Sequence, residues 1–379
     1  METVYSDDIL FAKLKRVFGK LWIVLELTGI FVFEKKNVSK MSRCSLILLE
    51  FCFPAFLHCN LFYLWYCIIT NGKLNYELII DITIPLLSII LWWLIYVRRN
   101  LLKNYYAHMI SVTVVIKESQ RRTLSYLINI SLIFVVIYYI FFTGVQVIQG
   151  NVLVATTLLY FRTAQEIILP SVVAILYCSN CYFLLLGLRS IKSKLEQQPD
   201  MCSEGVRKIC KLYFSVIQGI EKFEDLFSTP VFILVANNFC LVSLIVMDML
   251  YVRDWISKLM VEAVFYCLYV FASLGVLTIC AANIPLEMQR IKSVLLNKMS
   301  ASSFEGGLLG NEKCIELLLK RDVFILTSCN VFQFDRGFLL KALVTVVAQA
   351  IVVSQLVHSV QIISSSEEES SLIKQPENF

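Results

Sequence analysis

The sequence predicts an all-α membrane protein with seven transmembrane helices, a cytoplasmic N-terminus, an extracellular C-terminus and helical extensions on the cytoplasmic side. Three observations predict it. The 379 residues are 58% hydrophobic and only 17% charged, a balance that soluble domains do not carry. Seven apolar runs reach the ~20 residues that cross a bilayer, at 44–70, 77–97, 124–149, 165–188, 230–251, 259–284 and 337–363. Lys and Arg then alternate between the segments that the runs separate: eight, one, six, one, seven, two, seven and one, with Lys341 inside the last run. Cytoplasmic flanks accumulate these residues, so the first segment lies inside and the last outside. The net charge of +5 follows from that topology and implies no nucleic-acid partner.

Residues 1–43 form the cytoplasmic N-terminal segment. Asp7 and Asp8 do not suit a signal peptide, and the apolar stretch 21–33 is too short to span and carries Glu26. The first span is therefore expected to act as the insertion signal. Asn37-Val38-Ser39 is a glycosylation sequon, expected to stay unmodified in the cytosol. Residues 44–363 make up the seven-span domain. Glu50, in the inner part of the first span, is expected to pair with a nearby Lys or Arg.

The outer connections are short. Two inner ones, 189–229 and 285–336, read as helical extensions that pack together as a cytoplasmic anchor. The fourth span runs on until Gln198-Pro199-Asp200 breaks it. A separate amphipathic helix begins near Ser203, with Val206, Ile209, Tyr213, Ile217 and Ile220 at helical spacing. The sixth span also runs on, and a Gly-rich turn separates it from an amphipathic helix over 311–326, with Ile315, Leu318, Leu319 and Phe324 on its apolar side. The extracellular tail, 364–379, is Ser- and Glu-rich and expected to be disordered.

The chain carries no phosphate loop, nucleotide-binding turn, metal-ligand cluster or nucleophile motif. It does not read as an enzyme and calls for no cofactor. Its thirteen cysteines fall in spans or on the reducing side, where free thiols are expected. Cys178-Ser179-Asn180-Cys181 has no second pair to complete a metal site. No internal repeat supports an inverted-repeat transporter.

Ionisable groups in spans cost roughly 2.5–3.5 kcal/mol at a helix centre, so each needs an account. Asp81, Glu166 and Glu262 fall in the outer halves or ends of their helices, as do Gln146, Gln165, Tyr138, Phe142, Phe265, Tyr266 and Tyr269. Two readings stand: an outward-opening, aromatic-lined pocket for a small organic ligand, or acids and aromatics that mark the water interface. The last span is interrupted by Thr345, Gln349, Ser354 and Gln355. It reads either as a pore-lining helix of an oligomer or as one hydrogen-bonded to its neighbours, worth about 0.6–2 kcal/mol per contact.

The stretch Phe332-Gln333-Phe334-Asp335-Arg336-Gly337-Phe338-Leu339-Leu340 resembles the C-terminal signature of insect gustatory receptors. In that family a Phe-x-x-Asp-Arg-x-Leu-Leu-like run leads into a helix ending in Thr-Tyr, five hydrophobic residues and Gln-Phe. At that spacing Ala348-Gln349 replace Thr-Tyr, and Gln355-Leu356 stand for Gln-Phe. Phe18-Gly19-Lys20-Leu21-Trp22 with Gly29-Ile30-Phe31 is similar to the family's cytoplasmic lead-in. The resemblance implies a ligand-gated, nonselective cation channel in the plasma membrane, a homo- or heterotetramer whose last helices line one pore. It places Gln355 on the conduction path near the gate, with Val352 and Leu356 as hydrophobic neighbours. Sugar-responsive members carry Glu directly after the Thr-Tyr pair; Ala350 stands there in this chain. The ligand is therefore expected to be a small organic tastant of bitter or divergent type. The alternatives are an insect odorant receptor channel, which shares the architecture, a G-protein-coupled receptor without a pore and with reversed topology, or a secondary transporter.

The orientation is tested by a glycosylation tag added after Ile363. It should be modified in microsomes or cells; an unmodified tag in a membrane-inserted chain sinks the assigned topology.

Overall fold

In a computed structural model, the structure describes residues 16–30, 40–71, 76–113, 116–150, 163–198, 204–251, 260–302, 312–348, 351–352 and 355. Among them the chain is almost wholly helical. Helix α1 spans Lys20–Leu27, α2 Lys40–Asn71, α3 Tyr76–Val97, α4 Arg99–Thr113 and α5 Glu118–Gly150. A π-helical turn, Ala164–Ile168, opens α6, Leu169–Gln197. Then follow α7, Glu204–Tyr251, α8, Met260–Ser302, and α9, Glu312–Lys320. A short antiparallel pair, β1 Thr327–Ser328 and β2 Phe332–Gln333, precedes α10, Phe338–Ala348.

Four helices are long and apolar enough to cross a membrane among the described residues, or five if α3 and α4, bent by 57° at their junction, count as one span. The chain is a multi-pass membrane protein. Helix α6 is its axis: it is buried along most of its apolar length, whereas α5 is largely exposed. The most extensive packing is of α6 on α8, α3 on α7 and α6 on α7. Helix α5 turns Phe134, Ile137, Ile140 and Phe141 outward, as a helix in contact with lipid or a neighbouring subunit must.

The N-terminal piece stays beside the bundle, as its length requires. Helix α1 buries Leu21, Trp22 and Leu25 and packs on α2, α5 and α6. It ends at Thr28, whose carbonyl accepts the Trp92 indole N–H at 2.8 Å. Gly29 follows at φ +70°, and a Cβ there would stand 2.9 Å from the Glu50 carbonyl oxygen. That carbonyl is the one Pro54 leaves without its helical donor in α2. Glu50 itself meets the expectation of a cationic partner. It accepts from Arg99 at 2.5 Å and from the Tyr96 hydroxyl at 2.8 Å, and Arg99 lies over the Tyr96 ring, 4.6 Å from its centroid.

Three features differ from the expectation. Residues 99–113 form a helix of their own, α4. The inner helix expected from Ser203 and the span expected from 230 are one 48-residue helix, α7. At ~1.5 Å per residue it measures about 72 Å, more than twice a bilayer core of ~30 Å, so part of it projects beyond the membrane. The amphipathic helix expected over 311–326 stops at Lys320. Ile315 and Leu318 are buried, but the β-branched and aromatic run Val323-Phe324-Ile325 is not helical and leads into the hairpin. The hairpin turn takes positive φ at Cys329 and Asn330 and is closed by the Val331 N–H on the Ser328 carbonyl at 2.9 Å.

Pro230 sits inside α7 without breaking it. It has no N–H for the Leu226 carbonyl. Arg98, at the end of α3, supplies the missing donors: its guanidinium reaches the Leu226 carbonyl at 3.0 Å, the Asp225 carbonyl at 3.2 Å and Thr229 Oγ1 at 3.0 Å. Arg98→Ala should therefore lower stability by about 2 kcal/mol, the range for hydrogen bonds from a charged group. Pro230→Ala restores the N–H and should remove about half of that loss, the non-additivity of coupled sites. Melting of the four combinations in lipid nanodiscs checks this; equal losses in both backgrounds would disprove the substitution of Arg98 for the backbone donor.

Candidate functional site

The expected pocket residues are organised by the π-helical turn Ala164–Ile168. The residue four positions after Glu166 is Pro170, which cannot give the Glu166 carbonyl an N–H. The widened register falls just before that defect, and such turns recur at functional sites. Gln165 and Glu166, adjacent in sequence, are both fully buried there.

They face different partners. Gln165 Oε1 accepts from Asn60 Nδ2 of α2 at 2.6 Å, and its Nε2 donates to the Pro85 carbonyl of α3 at 3.0 Å. One side chain thus clasps α2, α3 and the start of α6. Glu166 Oε2 instead accepts from the Tyr266 hydroxyl of α8 at 3.3 Å.

Around Glu166, α5 and α8 bring their aromatic stripes together. The Phe142 ring meets Tyr266 edge-on at 4.6 Å between centroids. Tyr138 stacks on Phe142 at 6.0 Å and on Tyr269 at 5.6 Å. The hydroxyls of two of these tyrosines are committed to backbone. Tyr138 donates to the Phe265 carbonyl at 2.8 Å, and Tyr269 reaches the Ile167 carbonyl at 3.4 Å and Ser171 Oγ at 3.2 Å. Aromatic pairs of this geometry add ~0.5–1.5 kcal/mol each beyond their buried area.

Of the expected pocket residues, then, Tyr138, Phe142, Glu166 and Tyr266 lie in one cluster, and Gln165 points away from it toward α2 and α3. Asp81, Gln146 and Glu262 have backbone places in α3, α5 and α8; their side chains lie outside the described residues. Sequence reasoning missed Asn60 and Ser171. Asn60 carried a signal, a lone amide in the outer part of an apolar run.

The second candidate region is the last helix. Only a narrow stripe of α10 is against the bundle: Phe338 and Ala342 are buried, Val346 half-buried. Phe338 packs on Phe334 and Phe332 at 5.2 and 5.9 Å. Two further stripes are exposed. One is apolar, with Leu340, Val344, Val347 and Ile351. The other holds Lys341, Thr345, Val352 and Gln355 at helical spacing. Thr345 bonds its own helix, at the Lys341 carbonyl, 2.9 Å. Leu356 lies outside the described residues.

The segment entering α10 is fastened to α7 along one face, Glu221, Glu224, Ser228 and Phe232. Arg321 pairs with Glu221. Glu224 Oε1 accepts the Thr327 N–H at 2.9 Å and the Thr327 hydroxyl. The Cys329 N–H donates to Ser228 Oγ at 2.7 Å, and the Phe332 and Phe232 rings stack at 5.9 Å. Burial pushes the Glu224 carboxyl above its ordinary value, against the pull of the Thr327 bonds. Just beyond, the Lys341 ammonium at 2.9 Å holds Asp335 below the usual carboxylate range.

No protein-family model and no curated protein sequence matches the chain. Solved structures do. The structure of the insect olfactory receptor OR5 from Machilis hrabei in complex with eugenol superposes with a TM-score of 0.71 at 13% identity, covering 91% of this chain and 99% of that one. A second structure of the insect olfactory receptor OR5 from Machilis hrabei superposes with a TM-score of 0.68 at 13% identity, covering 93% of this chain and 100% of that one. The chain has the fold of the insect olfactory receptors, over essentially its whole length.

Removing the Gln165 clasp has a prediction of unusual sign. Gln165→Leu leaves the buried Asn60 amide without its acceptor and should cost about 1–3 kcal/mol. Adding Asn60→Leu removes both partners and should recover most of that loss. A double variant that melts below the single one would contradict the clasp.

Proposed function

We propose that this chain is a subunit of a chemosensory, ligand-gated, nonselective cation channel of the plasma membrane, a gustatory receptor of bitter or divergent type. Four copies, identical or related, surround one pore lined by their last helices. The N-terminus is cytoplasmic, residues 189–229 and 285–336 form the cytoplasmic anchor, and residues 364–379 form the extracellular tail. The ligand is a small organic molecule held in the outer half of the bundle by Tyr138, Phe142, Glu166 and Tyr266, with Asp81, Gln146 and Glu262 toward the mouth. Gln165 positions the turn that carries Glu166.

The observation that carries this reading is the last helix. A helix in a chain of this hydrophobicity that touches its own bundle along a single stripe has two faces for something else. One stripe is wholly apolar and suits lipid or a neighbouring subunit. The other carries Lys341, Thr345 and Gln355 with Val352 between them, the mixture of polar and apolar rings that suits a gated aqueous path. The fold shared with insect olfactory receptors supports a chemosensory channel, and the eugenol bound to one of them supports a small organic ligand. The signature over 332–340 with Gln355 favours the gustatory branch; the odorant branch is the second reading, favoured by those same structural neighbours. Ligand binding would shift the last helix outward and wet the apolar gate at Val352 and Leu356. The excess of acids over Lys and Arg on the outer side would raise the local cation concentration at the mouth.

Whole-cell recording with G-protein signalling blocked tests the proposal. Ligand-evoked cation current is expected from the wild type. Gln355→Leu should leave expression and surface delivery near the wild-type level yet change gating or permeability ratios. Wild-type currents and selectivity in that variant would remove Gln355 from the pore, and evoked signals that vanish on G-protein block would favour a receptor without a pore.

A further inference from the structure

The Cys178-Ser179-Asn180-Cys181 run of α6 has a partner that its sequence neighbourhood does not reveal. We propose that Cys178 of α6 and Cys280 of α8 form an oxidisable dithiol, closed to an intrachain disulfide by a hydroperoxide dissolved in the bilayer.

Three observations carry this. The first is contact. The two thiols are hydrogen-bonded to one another, across the most extensively packed pair of helices in the fold. The second is register. Tyr269 reaches the Ile167 carbonyl near the start of the two helices, and Lys298 reaches the Glu196 carbonyl near their end. Both contacts join residues 102 apart in sequence, and Cys178 and Cys280 lie between them at the same separation of 102. The meeting of the two cysteines is therefore set by the packing of α6 on α8 along its length. The third is access. Both cysteines are half-buried. Ile279, adjacent to Cys280, and Val276, one turn before it, are exposed. An apolar oxidant in the surrounding lipid has a way to the pair. Cys181, the other member of the run, is fully buried.

The chemistry is a two-electron oxidation of two thiols by one hydroperoxide. The first sulfur attacks the terminal peroxide oxygen; the O–O bond breaks, a sulfenic acid forms, and an alcohol leaves with the thiol proton. The second sulfur attacks the sulfenic sulfur; the S–S bond forms, the S–O bond breaks, and water leaves with the second thiol proton. Because the second thiol already touches the first, the disulfide step is effectively unimolecular and outruns further oxidation to sulfinic acid. Closing the pair to the ~2.05 Å of an S–S bond fastens α8 to the axis helix. In a reducing compartment such bonds are transient and redox-sensing, so the resting state is the dithiol.

The test uses the full-length protein in lipid nanodiscs with cumene hydroperoxide as the probe. Thiols that remain are blocked with N-ethylmaleimide after denaturation, and the digest is mapped by mass spectrometry. A disulfide-linked Cys178–Cys280 peptide pair is expected, with maleimide lost from both sites and restored by dithiothreitol. The oxidised protein should melt at a higher temperature than the reduced one, and the shift should vanish on reduction. Cys280→Ser should abolish the link and the shift, leaving Cys178 as a sulfenic acid trapped by dimedone. Cys178→Ala is the reciprocal variant, and the wild-type map decides the matter if neither variant folds. Hydrogen peroxide at equal concentration should act more slowly; equal rates would remove the bilayer as the source of the oxidant. Maleimide on both cysteines after oxidation, a link between Cys181 and Cys280, or a link between two chains each overturns the inference.

Discussion

Inside a bilayer a backbone carbonyl that lacks its helical N–H has no water to turn to. This chain meets that constraint repeatedly, because Pro54, Pro85, Pro230 and Pro285 lie within its long helices and Pro170 at the start of α6. The remedies tie distant elements together. At Pro230 the donor comes from Arg98, which welds the end of α3 to the middle of α7. Near Pro170 the helix widens, and the widened turn sends Gln165 to α2 and α3 and Glu166 to α8. Beside Pro54 a glycine at positive φ lets the N-terminal piece lie against the exposed backbone. The central helices are therefore joined by polar contacts at their weak points, while the aromatic and aliphatic side chains fill the rest. Packing alone would bind them less firmly, since lipid is as apolar as their own side chains.

This logic also explains what could be read from the sequence. Charge alternation and hydrophobic runs are local signals, and they suffice for a multi-pass helical membrane protein. The pairing of Glu50 with a cation was legible because an acid in the inner part of a span has few other fates. The aromatic cluster was legible in part, because Tyr138 and Phe142 share a helical stripe at i, i+4. The continuity of α7 was not. Proline ordinarily ends a helix, and the compensating Arg98 is 128 residues from Leu226 in the sequence. That Gln165 and Glu166 face different partners follows from the about 100° between neighbouring helical residues, but the π turn that carries them left no signal in the sequence. The hairpin before α10 depended on positive φ at Cys329 and Asn330, for which a single asparagine is a weak signal.

The hairpin bears on how the last helix is held. Helix α6 is engaged by neighbours along nearly its full length, so its place is over-determined. Helix α10 touches the bundle through Phe338, Ala342 and Val346, and without a hydrophobic driving force in lipid that stripe restrains it weakly. Its position is set instead at its entry, where Glu224, Ser228 and Phe232 fasten the hairpin to α7 and Asp335 bonds Lys341. These are directional contacts at one end of a lever. They define where α10 starts. Helix α7 also packs on α3 and α8, and α8 carries Tyr266. The aromatic cluster and the hairpin are therefore joined by packed helices: α8 against α7, and along α7 the face that holds β1 and β2.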